Sequence, residues 1–86
     1  MSLDTAIAHL RNGDWQRAHD LVQHDESPLG CWAHGIVHMI EGDIGNARYW
    51  YRRAHRSFPA TPEATVELET LASAWRGAQA STGDEA

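Results

Sequence analysis

Two imidazoles one helical turn apart, with a carboxylate on the next turn, are the residues of this chain best placed to do chemistry. His34, His38 and Glu41 stand at i, i+4 and i+7 within "HGIVHMIE". On a helix that spacing lines three side chains along one edge. Two imidazoles and a carboxylate can hold a divalent transition-metal ion or a small-molecule ligand, or shuttle a proton. The same spacing also serves histidines that hydrogen-bond at a helix interface or stand in water, and burial and partners separate these readings. Cys31 and His34, at i and i+3, form a thiol and imidazole pair with no recognisable third member or oxyanion donor. No catalytic residue is assigned, no cofactor is implied, and the expected activity is non-enzymatic. A second candidate is cationic: Arg48, Arg52, Arg53 and Arg56 with Tyr49 and Trp50 interleaved, a pattern that can bind phosphate, carboxylate or single-stranded nucleic acid. Its alternative is a solvated face paired with Glu63, Glu67 or Glu69.

These residues need helices to position them. Leu3, Ala6, Ile7 and Leu10 recur at helical spacing until Asn12-Gly13, and Asp14 caps a second helix with Trp15, Ala18, Leu21 and Val22 as its stripe. Ser27-Pro28 starts a third, with Trp32, Ile36, Met39 and Ile40 on one side. Gly42-Asp43 repeats the stop and restart, and a fourth helix carries Ile44, Ala47, Tyr51 and Ala54 as far as Phe58-Pro59. Thr61-Pro62-Glu63 opens a fifth, with Ala64, Leu68, Leu71, Ala72 and Trp75 on its apolar side. Residues 77–86 lack periodicity and read as a flexible tail. No alternation of period two competes, so the expected fold class is all-α, one domain over residues 1–76.

The chain has 86 residues and a formal net charge of -5, its basic side chains all Arg. That balance argues against nucleic acid and anionic membranes as partners. A single cysteine and the acidic start of "MSLDTAIAHLRNGD" fit a reducing, cytoplasmic setting, and no stretch is apolar enough to cross a membrane.

The two Gly-Asp turns lie 29 residues apart (42 minus 13), and that shift superposes His9 on His38, Leu10 on Met39 and Ala18 on Ala47. His9 thereby joins the candidate ligands. The shift predicts two stacked antiparallel helical hairpins, 3–25 and 28–58, and a capping helix over 62–76. Gly35, Gly42, Ala47, Ala54 and Pro59, spaced 7, 5, 7 and 5 apart, resemble the tetratricopeptide-repeat signature over Pro28 to Pro59. "GDIGNARYWYRRAH" is similar to uncharacterised bacterial members of that superfamily. The resemblance implies a protein-interaction scaffold, and it puts Trp32, Ile36, Met39 and Ile40, with Leu3, Ile7 and Leu10, on the ligand-binding face. That face is too apolar to remain wet. Its expected cover is the fifth helix, a second copy giving a homodimer, or a client protein or peptide, with Trp32 the foremost candidate for the contact.

Overall fold

The computed structural model describes residues 3–84, with side chains through residue 80. Among the described residues the regular structure is entirely helical: α1 (Leu3–Arg11), α2 (Trp15–Val22), α3 (Pro28–Glu41), α4 (Ile44–Arg53) and α5 (Ala64–Asp84). The polar residues at the helix starts act as caps. Asp14 accepts from the Arg17 amide at 3.3 Å, Ser27 Oγ from Gly30 at 3.1 Å, and Asp43 from Asn46 at 3.3 Å. Each satisfies one amide that the first helical turn leaves without a partner.

Gly42 ends α3 at φ 93, a left-handed conformation that would strain a side chain, and its amide returns to the carbonyls of His38 and Met39. Asp43 caps α4 at once, so a single turn joins the two helices. Close packing of α3 on α4 depends on Gly35, because a Cβ there would lie 2.6 Å from the Tyr51 ring.

Helix α3 is buried from Gly30 through Met39 and packs against α1, α2, α4 and α5. Apolar residues all round it account for that central place. Leu68, Leu71 and Ala72 of α5 join one core with Leu3, Ile7 and Leu10 of α1 and Trp32, Ile36 and Met39 of α3. Of the three covers expected for the seven apolar residues of that face, the fifth helix is the one that packs on it here: six of the seven are buried, Trp32 at 1% exposure, and Ile40 is half-buried. The physical reason is proximity, since a tethered helix meets that face at an effective concentration no separate partner readily matches.

Polar contacts fix α5 in register. Tyr51 donates its hydroxyl hydrogen to Glu67 Oε1 at 2.5 Å, and Trp32 Nε1 donates to the same oxygen at 3.3 Å. Arg56 lies over the Trp32 ring at 3.5 Å. Arg11 forms a two-pronged pair with Glu69, and Trp75 Nε1 donates to Asp4 Oδ1 at 2.7 Å, tying the last helix to the first.

Three details differ from expectation. Helix α4 stops at Arg53 instead of Phe58-Pro59, because His55 turns left-handed at φ 61 and the Arg56 amide closes back on the Tyr51 carbonyl. Ile44 is 37% exposed at the start of α4 and does not join its buried side. Helix α5 continues past Gly77 to Asp84, where a tail was expected. Ala and Gln sustain a helix without an apolar stripe, so missing periodicity there marks exposure. Residues 85–86 lie outside the described residues. No described helix is long and apolar enough to cross a membrane.

Candidate metal centre

The last two turns of α3 carry His34 and His38, and α2 brings His19 against them. His19 stands four residues after Trp15 and three before Val22, on the flank of α2 that turns toward α3. The His19 ring meets His34 edge-on at 4.8 Å between centroids and His38 at 5.4 Å. His34 and His38 stack at 5.0 Å, and Trp50 of α4 lies flat on the other face of His34 at 3.8 Å. Three imidazoles and an indole thus form one packed group among α2, α3 and α4.

One nitrogen from each of His19, His34 and His38 falls within 4.8 Å of the others. A tetrahedral ion about 2.1 Å from each would need them about 3.4 Å apart. His19 is half-buried while His34 and His38 are buried, so His19 is the ring with the most freedom to close the difference. His34 Nδ1 is buried without a hydrogen-bond partner. Such an atom ordinarily costs about 1–3 kcal/mol, and a metal ion would satisfy it. His38 Nδ1 lies 2.8 Å from Glu41 Oε1. With the carboxylate accepting, Nδ1 carries the hydrogen and Nε2 keeps the lone pair. A ligating histidine oriented by a carboxylate is the usual outer support of a metal site.

Electrostatics keep His34 ready to ligate. His34 is pushed down to about 4, first by burial and then by the neighbouring His19, His38 and Arg53. It is neutral at pH 7, as an imidazole ligand must be.

The structure stacks His34 on His38 and bonds Glu41 to His38, but it divides the three between two groups of neighbouring donors, His34 with His19 and His38, and Glu41 with His38 and Asp43. It leaves out His9, which sits half-buried at the end of α1 and belongs to neither group of neighbouring donors. The repeat shift selects His9 as an equivalent position, but the third imidazole comes from the facing helix. The available signal was the place of His19 beside the apolar stripe of α2.

The arginines do not converge on one anion site. Arg53 lies over Trp50 at 5.1 Å, bonds the Tyr49 hydroxyl and pairs with Glu26 at 3.6 Å. Arg48 covers Phe58, Arg56 covers Trp32, and Arg52 is exposed. Of the expected acidic partners, Glu69 pairs with Arg11 and Glu67 accepts from Tyr51 and Trp32. Cys31 is buried, its thiol pushed up chiefly by burial and its Sγ 3.7 Å from the Asp25 carbonyl. That environment disfavours the thiolate a nucleophile needs.

Comparison of the chain with family models, curated proteins and solved structures finds no match.

Proposed function

We propose that this protein binds a divalent transition-metal ion through the imidazoles of His19, His34 and His38. The observation that carries the reading is the convergence of three histidine nitrogens, within 4.8 Å, on a buried group where His34 Nδ1 has no partner. An all-imidazole donor set suits Zn(II), Cu(II) or Ni(II) and suits Mg(II) or Ca(II) poorly. The role proposed is binding, without catalysis.

The same reading takes the helices as two tetratricopeptide-like hairpins, 3–25 and 28–58, closed by α5. Gly13 and Gly42, at φ 75 and 93, each precede an Asp that caps the next helix, which supports a repeated unit. In such a unit the face the family offers to peptides is filled here by α5. The interaction partner we propose for that face is the chain's own last helix.

Isothermal titration of the metal-free chain with Zn(II) tests the metal reading. One saturable site per chain is expected, with affinity lost in His19→Ala and His38→Ala. Both substitutions leave the buried His34 in place. An unsubstituted chain that takes up no Zn(II), or a His19→Ala chain that binds as tightly as the original, removes the reading.

A further inference from the structure

The turn after α3 holds a second group that shares one member with the first. Donor atoms of His38, Glu41 and Asp43 lie within 4.8 Å of one another. His38 is buried, while Glu41 and Asp43 are exposed. One imidazole therefore stands between an interior nitrogen cluster and a pair of carboxylates in water.

The internal repeat supplies a comparison inside the same molecule. The shift of 29 sets His9, Asn12, Asp14 and Arg17 against His38, Glu41, Asp43 and Asn46. In the first turn Asp14 faces Arg17 at 3.4 Å, and a neutral Asn12 stands where the second turn has Glu41. In the second turn Asn46 replaces the arginine. Asp43 accepts only a backbone amide, and Glu41 is bonded to His38 itself. Among the described residues neither carboxylate there has an arginine partner, so the second turn concentrates negative charge beside His38.

A hydrated divalent ion enters a buried imidazole cluster slowly, because it must shed water before any ligand replaces it. Exposed carboxylates raise the local cation concentration and supply the first replacement oxygens. We propose that His38, Glu41 and Asp43 form a landing position through which the metal ion reaches His19, His34 and His38. The inference rests on the metal reading above. An ion held there binds His38 Nδ1 as the imidazole changes tautomer, Nδ1 giving its hydrogen to solvent while Nε2 takes one up. When the ion moves inward to Nε2 the exchange runs in reverse, which restores the Nδ1 bond to Glu41.

The test is stopped-flow mixing of the full metal-free chain with Cu(II), read through quenching of Trp50, whose ring lies on His34. Asp43→Asn keeps a capping acceptor while removing the charge. Asp14→Asn, at the equivalent turn, removes the same charge from a residue that belongs to neither group of neighbouring donors. Asp43→Asn is expected to slow association about tenfold at low ionic strength, the deficit shrinking with added salt, while Asp14→Asn stays within about twofold. Equal rates for the two variants overturn the landing position while leaving the metal site standing. Absence of saturable quenching in the unsubstituted chain overturns the metal reading instead. Glu41→Gln, expected to load slowly as well, provides a second variant should Asp43→Asn fail to fold.

Discussion

Acid should destabilise the metal-free protein through His34, and the size of the effect follows from its surroundings. In the unfolded chain this imidazole protonates near its ordinary value of 6.5, whereas in the folded chain burial, His19, His38 and Arg53 hold it down to about 4. Between those values the unfolded state takes up a proton that the folded state refuses. The contribution to stability is therefore fully present above pH 6.5, declines as pH falls, and levels off below about 4. A gap of roughly 2.5 units at 1.36 kcal/mol each amounts to roughly 3 kcal/mol, a large share of the ~5–15 kcal/mol that holds a domain together. The assay is guanidinium unfolding by tryptophan fluorescence at pH 7, 5.5 and 4.5, with a chelator present, on the unsubstituted chain and on His34→Phe. Phenylalanine keeps a flat ring against Trp50 and removes both the ionisable group and the unpartnered Nδ1. At pH 7 the variant should equal or exceed the original in stability, and its loss between pH 7 and 4.5 should be smaller by about 2–3 kcal/mol. Glu69 also titrates in acid, its carboxyl held below the ordinary range chiefly by the bond to Arg11, but it does so in both chains and cancels in the difference. Identical pH dependence in the two chains would refute the reasoning.

Gly35→Ala should lower stability by about 1–3 kcal/mol, because the new methyl group would meet the Tyr51 ring at 2.6 Å with little room to withdraw. Differential scanning calorimetry reads the shift, and an unchanged melting temperature would mean that α3 and α4 can separate without cost. Ending the chain at Pro62 removes α5 and bares Leu3, Ile7, Trp32, Ile36 and Met39. Each large side chain so wetted is worth about 1.5–3 kcal/mol, so the truncated chain should self-associate or precipitate, giving a mass in light scattering that rises with concentration.

The starts of the helices were legible because capping is local chemistry. Asp14, Ser27 and Asp43 each bind an amide three residues on, and Gly42 does what a left-handed position requires. The end of α4 was not, since His55 adopts a conformation that its type seldom signals. The apolar residues of α1 and α3 share one core with α5, and their surplus area was legible as the need for a cover. Choosing α5 over a partner requires the reach of residues 54–63 and the match of Glu67 to Tyr51 and Trp32, neither of which periodicity encodes. In the candidate site, His34, His38 and Glu41 share one helix and were found by counting. His19 lies across a helix interface, at a distance set by how deeply α2 packs on α3, and so escaped.

The bond between Trp75 and Asp4 joins positions 71 residues apart. Mechanically it makes a loop of an open chain, because force applied at either end is soon shared through that latch with the other end. Peeling the first helix and peeling the last should begin with one shared rupture. A fusion partner that drags on one end would then also loosen the opposite end.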